Sequence, residues 1–129
     1  LEPSTWHSLR STGAETEVRL GDADDPLAGV VRIREAGERP VDLIVGKRAW
    51  KRSALERAEP GEVAGVAVPV VRASDLVLLK LYAGGPQDAW DVAELLASGD
   101  RDELIARVDD QVAQLPAYAR ALWRKILDG

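Results

Sequence analysis

The chain has 129 residues, of which 46% are hydrophobic and 30% charged, as is typical of one soluble globular domain with a buried core. Its formal net charge of -5 argues against binding to nucleic acid through overall charge. The net charge does not exclude a local basic patch. With no cysteine and one histidine, the sequence excludes disulfides, a thiol nucleophile and a zinc site built from Cys and His.

Targeting signals are not evident in this sequence. No basic stretch followed by an apolar run opens it, and no apolar run approaches the roughly 20 residues that span a membrane. These features predict a cytoplasmic protein without a membrane partner. The sequence begins at Leu1 and contains no methionine, from which we expect an upstream segment to be missing.

The first half is predicted to be mostly strands, after a short helix at Thr5–Ser11. Alternating side chains predict strands at Thr16–Leu20 and Gly29–Arg34, and the second of these pairs with Pro40–Val45 in an antiparallel hairpin. Pro40–Val45 is apolar on both sides of Asp42, which favours a central position in the sheet. Asp42 then either faces a functional cleft or needs a buried partner.

A basic cluster follows this strand and leads into a helix that is predicted to run to about residue 58. It consists of Lys47, Arg48, Lys51 and Arg52. Cations at a helix N-terminus oppose the helix dipole, so helix stability does not explain their position. The cluster is either a solvated surface or a contact for a phosphate or an RNA backbone.

Two predictions concern the segment after this helix. Glu59, Pro60 and Gly61 are predicted to break the helix. Val66–Val71 is predicted to be a strand at a sheet edge, because Pro69 cannot donate a backbone hydrogen bond.

The stretch from Ser74 to Leu96 is predicted to form two helices separated by a tight break. Ser74 is predicted to cap the first helix, because its hydroxyl can accept a hydrogen bond from a free amide of the first turn. Gly84 and Gly85 are predicted to end that helix, and Pro86 suits the first turn of the next.

Lys80 is the one charged residue between Leu76 and Tyr82, in a helix that is apolar on all sides. Such a helix is normally buried, so Lys80 must reach water or find an anionic partner. Asp88 and Asp91 are spaced i and i+3 near the positive end of the second helix and share one face. The spacing predicts a cation close to two carboxylates. An alternative explains the same pattern: Lys80 reaches solvent, and the two aspartates are there because they favour a helix start.

Two amphipathic helices are predicted to complete the chain, at Arg101–Val112 and Pro116–Leu127. The predicted fold is therefore α+β: a small mixed or antiparallel sheet in the N-terminal half, packed against a helical C-terminal half. Residues 1–129 are predicted to form a single domain, with strands mostly in 1–72 and helices in 73–129.

The following segments carry a recognisable pattern: Val41-Asp42-Leu43-Ile44-Val45-Gly46, the strand Val66–Val71, Leu79-Lys80-Leu81-Tyr82-Ala83 and Gln87-Asp88-Ala89-Trp90-Asp91-Val92. In this order they resemble the nucleotidyltransferase-like AbiEii toxin family of the DNA polymerase β superfamily. The resemblance covers about Arg19 to Leu96. It implies a partial nucleotidyltransferase fold that moves a nucleotide from an NTP to a hydroxyl on RNA or protein.

The resemblance also implies residue roles. Asp42 matches the third carboxylate of the catalytic set, which helps to bind Mg²⁺ or positions the attacking hydroxyl. Lys80 matches the lysine that contacts the nucleotide phosphates, and Asp88 the aspartate near the nucleotide, with Asp91 as its partner on the same helix. The implied partners are an NTP, tRNA or another RNA, and a cognate antitoxin protein.

Two departures from the family pattern favour an alternative. The Gly-Ser turn and Asp-x-Asp strand that carry the two principal metal ligands have no match in Leu1–Arg34, where the Asp-x-Asp spacing of Asp22 and Asp24 lies in a polar loop. Gln87 stands where the family usually has a basic residue. The alternative is a non-catalytic binding or partner-interaction module with the same fold.

Overall fold

The computed structural model describes residues 13–23 and 27–129, so the helix predicted at Thr5–Ser11 lies outside the described residues. Within these ranges the fold is α+β, as predicted, with two antiparallel sheets. The strands are β1 (Glu15–Leu20), β2 (Leu27–Arg34), β3 (Val41–Gly46), β4 (Glu59–Val63) and β5 (Val66–Val70). The helices are α1 (Ala49–Glu56), α2 (Ala73–Ala83), α3 (Pro86–Ser98), α4 (Arg101–Val112) and α5 (Ala117–Asp128).

The chain divides into two compact units, Leu1–Ala49 and Trp50–Gly129. In the described ranges, no helix has both the length and the apolar character needed to cross a membrane.

The first unit contains a three-stranded antiparallel sheet in the order β1-β2-β3. The predicted hairpin of β2 and β3 is confirmed, but the prediction that the strand of Asp42 is central is wrong, because β2 lies between the other two strands. Val31 of β2 is fully buried and pairs with Val18 on one side and Leu43 on the other. In β3, Val41 and Ile44 are exposed, which shows that an apolar strand can lie at a sheet edge.

In the second unit, α1 is followed by a hairpin that the sequence prediction missed. Glu59, Pro60 and Gly61 follow the end of α1, but they also form the first residues of β4, which pairs with β5. The turn residues Ala64 and Gly65 both have positive φ, 50° and 79°, the combination that a tight turn between twisted strands requires. Since this sheet has two strands, β5 is an edge strand as predicted, but its partner is β4.

The core of the second unit is built around α2, which contacts α3, α4 and α5. The buried apolar side chains of this core are Val77, Leu78, Leu81, Tyr82, Val92, Leu96, Leu104, Val108, Leu115, Ala119 and Trp123. The prediction that Ser74 is the N-cap of α2 is wrong: Arg72 occupies that position, and Ser74 is buried inside the first turn. The two predicted C-terminal helices are confirmed as α4 and α5.

Candidate functional site

The candidate site lies where α2 ends and α3 begins. Gly84 ends α2 in the left-handed conformation, with φ 71°, and donates its amide hydrogen bond to the carbonyl of Lys80 at 2.9 Å. Gly85 is the extended N-cap of α3, and Pro86 is its first residue. A Cβ on Gly84 would lie 3.3 Å from Cε2 of Tyr118. The predicted break is confirmed, and it turns the last residues of α2 toward the start of α3.

Lys80 meets both aspartates at this corner. Its Nζ lies 2.6 Å from Oδ2 of Asp91 and 3.2 Å from Oδ1 of Asp88. The three side chains are 29%, 25% and 23% exposed, so the contacts are largely shielded from solvent. The predicted approach of one cation to two carboxylates is thus confirmed.

The second oxygen of each carboxylate is held by α3 itself. Oδ2 of Asp88 accepts a hydrogen bond from the amide of Gly85 at 3.1 Å. Oδ1 of Asp91 accepts one from Nε2 of Gln87, one turn earlier, at 2.9 Å. We call Lys80, Gln87, Asp88 and Asp91 the Lys80 cluster; its geometry is fixed by one backbone amide and one side-chain amide.

The charges of the Lys80 cluster stabilise one another. The hydrogen bond to Asp91 is the main cause that raises the pKa of Lys80, against the opposing effect of burial. The same hydrogen bond, followed by that from Gln87, lowers the pKa of Asp91. The formal charges of Lys80, Asp88 and Asp91 sum to one negative charge.

A groove of about 340 Å³ opens beside the cluster. Leu76 and Leu95 form its apolar walls, while Lys80, Asp91, Glu94 and Ser98 supply polar groups. The groove therefore combines an apolar surface with a fixed ammonium group and two carboxylates.

Asp42 belongs to the first unit and lies on the exposed side of β3. Nε and Nη2 of Arg32 donate to its two carboxylate oxygens, each at 2.7 Å. This hydrogen bonding holds the pKa of Asp42 below its usual value, with further contributions from Arg34 and Arg19. Since Arg32 occupies both oxygens and two more arginines add positive charge, these surroundings do not fit a magnesium ion. Magnesium binding by Asp42 stays a prediction that requires Arg32 to move away and further oxygen ligands to join.

The basic cluster predicted to contact nucleic acid is split between the two units. In the first unit, Lys47 donates a hydrogen bond to the carbonyl of Asp22, and Arg48 is exposed. In the second unit, Arg52 is also exposed. These two arginines are the exposed guanidinium groups of the cluster.

Lys51, the remaining member, packs against aromatic rings. Its Nζ lies 4.4 Å from the ring centre of Tyr82 and 5.8 Å from that of Trp50. The two rings meet edge to face with centroids 5.4 Å apart. Cation–π contacts of this kind stabilise a lysine in place and compete with its use as a phosphate contact.

Sequence reasoning missed a buried ion pair in the second unit. Asp75 in α2 is fully buried, and the guanidinium of Arg57 donates to both of its carboxylate oxygens. Arg57 also donates to Oε1 of Gln111 in α4 at 2.9 Å. An acidic residue near a helix start was the available signal, but it does not identify a partner 18 positions away.

A scan against protein-family models and a search of curated proteins found no match to this chain. The resemblance to nucleotidyltransferase-like proteins therefore rests on the motif residues of the chain itself. In residues 13–23 and 27–129, no group of three or more His, Cys, Asp or Glu side chains is arranged to hold a metal ion.

Proposed function

We propose that the chain is a nucleotidyltransferase-like protein in which Lys80 binds the phosphates of an NTP. The observation that carries this proposal is the meeting of Lys80, Asp88 and Asp91 at the corner between α2 and α3. These are the residues to which the resemblance assigns nucleotide binding. A fixed ammonium group offsets the negative charge of a phosphate group in the ground state and in the transition state.

The groove beside the Lys80 cluster supports the same proposal. It combines apolar walls with a few oriented polar groups, as small-molecule sites usually do. Leu76 and Leu95 supply the apolar part, which suits a base or a ribose, and Lys80 supplies the charge.

Transfer of the nucleotide to a hydroxyl on RNA or protein is proposed for a protein that also carries the Asp-x-Asp ligands. Magnesium belongs to the proposal on the same condition, since near-octahedral oxygen ligation needs more than one carboxylate. The exposed Arg48 and Arg52 are candidate contacts for an RNA acceptor. A cytoplasmic location and a role as the toxin of a toxin–antitoxin pair complete the proposal.

The test is transfer of a labelled NTP by the full-length protein. We expect Lys80→Ala and Asp88→Ala to abolish incorporation of label into RNA or protein. Lys125→Ala, which removes an exposed lysine from α5, is the matched control and should retain it. Unchanged transfer by Lys80→Ala and Asp88→Ala would refute the assignment.

A second candidate function, a non-catalytic binding module, is favoured by the pairing of Asp42 with Arg32. Because Arg32 binds both oxygens of the Asp42 carboxylate, this side chain stabilises the sheet surface in place of binding a metal ion. This candidate predicts no Mg²⁺-dependent NTP binding in a calorimetric titration. Micromolar binding that Asp42→Asn abolishes would count against it.

A further inference from the structure

The Lys80 ammonium group already has two anionic partners in the structure. Its shortest contact, 2.6 Å, is with Oδ2 of Asp91, and the contact with Asp88 is longer, 3.2 Å. Gln87 fixes the orientation of Asp91 by donating to its other oxygen. Two of the three donors of this ammonium group are therefore engaged before any added anion binds.

The surrounding charges oppose an anion as well. The cluster carries a formal charge of -1, from one lysine and two aspartates, and Glu94 adds another carboxylate to the lining of the same groove. A phosphate that approaches Lys80 therefore meets like charges at short range, which disfavours its binding.

We infer that Asp91, oriented by Gln87, holds Lys80 in a closed state, and that a triphosphate binds the open state in which Lys80 has left Asp91. This inference rests on the proposed function of Lys80. Asp91 and Gln87 are positioning residues: they reduce the apparent affinity for phosphate by the fraction of molecules in which Lys80 is held.

The geometry allows such a movement. Lysine has a flexible four-carbon stem, the Lys80 side chain is 29% exposed, and the groove lies directly beside it. Asp88 is fixed on the amide of Gly85 and can remain at the helix start when Lys80 moves. Release from Asp91 breaks the shorter of the two contacts of Lys80 and leaves the longer one, with Asp88.

The experiment measures binding of inorganic triphosphate by calorimetry, without metal, to the full chain. Asp91→Asn keeps the shape of the side chain and removes its charge. We expect it to raise the affinity about fivefold, the scale of one partly shielded ion pair. Gln87→Leu, which removes the donor to Asp91, should raise the affinity about twofold, a smaller gain, because the ion pair itself remains.

Two further variants isolate the contact. Glu94→Gln removes the same charge from the same groove, and Glu94 has no ion pair with Lys80 among the described residues. We expect it to gain less than half as much affinity as Asp91→Asn. Adding Lys80→Met to Asp91→Asn should remove the whole gain.

A second readout reports the closed state without any ligand. Titration of the Lys80 side chain, followed by NMR of ¹³C-labelled lysine, gives its pKa directly. Asp91→Asn should bring the pKa of Lys80 back toward its usual value, and Gln87→Leu should move it in the same direction by less. A purely structural role for Gln87 would leave this titration unchanged.

The outcomes separate the two proposals. If Lys80→Met abolishes triphosphate binding but Asp91→Asn binds no more tightly than the natural sequence, Lys80 binds phosphate and the closed state is wrong. An equal gain from Glu94→Gln, or an unchanged Lys80 titration in Asp91→Asn, overturns the closed state as well. If triphosphate binding is the same with and without Lys80, the proposed function fails, and the inference fails with it.

Discussion

Arg57, the residue after α1, forms an ion pair with Asp75, a carboxylate of α2 with no exposed surface. The Arg57 side chain is 34% exposed, so the two partners lie in different environments. The hydrogen bond to Asp75 is the main cause that raises the pKa of Arg57. Arg57 also bonds Gln111, so this one side chain connects the end of α1 to both α2 and α4.

We predict that Arg57→Met destabilises the protein more than Asp75→Asn does. Without Arg57 the Asp75 carboxylate is buried and unpaired, which costs about 3 kcal/mol of unfolding free energy. Without the Asp75 charge, Arg57 can turn to solvent, so the loss should be about 1 to 2 kcal/mol. Urea unfolding followed by circular dichroism measures both values.

The control for this comparison is Arg52→Met, which removes an exposed guanidinium from α1, five residues before Arg57. It should change the unfolding free energy by less than about 0.5 kcal/mol. A larger loss for Asp75→Asn than for Arg57→Met would show that the buried carboxylate does not depend on its partner.

A second prediction concerns the corner that positions the Lys80 cluster. Gly84→Ala should cost about 1 to 2 kcal/mol, because the left-handed conformation is unfavourable for a residue with a Cβ. The added methyl would also lie 3.3 Å from the ring of Tyr118. Thermal unfolding of the variant reports the loss as a lower midpoint.

Gly99→Ala is the matched variant at the other end of α3. Gly99 has a φ of -129°, and the nearest atom to an added Cβ is 3.9 Å away. The Gly99→Ala variant should therefore have a thermal unfolding midpoint close to that of the natural sequence. An equal loss in both variants would mean that the conformation of Gly84 is not what fixes the corner.

Local patterns predicted the corner well. Gly84, Gly85 and Pro86 act through their own backbone preferences, and Asp88 and Asp91 share a face because of helical spacing alone. These are properties of short segments, so one sequence is enough to find them. The proximity of Lys80 followed, because the break forces the end of α2 to face the start of α3.

Strand neighbours and buried partners could not be found in this way. Pro60 and Gly61 disfavour a helix, and nothing local shows that they pair with Pro69 and Val68 in a hairpin. The buried Asp75 is paired with Arg57, which lies after α1 and 18 positions earlier in the sequence. Which strand is central, and which carboxylate is paired, are set by contacts between segments distant in sequence.

Trp123 gives a third prediction, because its buried indole donates a hydrogen bond to Oδ1 of Asp109 at 2.7 Å. Asp109→Ala leaves this N–H without its partner, which should cost about 1 kcal/mol or more in unfolding free energy. Asp110→Ala removes the same charge at the next position of α4, where both aspartates are exposed, and should cost clearly less. Chemical unfolding of both variants tests this, and equal losses would assign the effect to helix charge.

The Lys80 cluster gives a prediction about pH. The pKa of Asp91 lies below its usual 3.8 in the folded protein, so its ion pair adds stability above that pH, which is lost as the pH falls through the lowered value. The pKa of Lys80 lies above its usual 10.5, so the same stability is present below that pH and lost as the pH rises further.

The difference in unfolding free energy between the natural sequence and Asp91→Asn should therefore be constant from about pH 5 to 9 and shrink on both sides. Urea unfolding at pH 3, 5, 7, 9 and 11 measures it, with Glu94→Gln as a control whose carboxylate is not paired with Lys80. A difference that is the same at pH 3 and pH 7 would show that Asp91→Asn acts through helix propensity, because the contacts of Asp91 with Lys80 and Gln87 both favour the charged carboxylate and helix propensity does not depend on it.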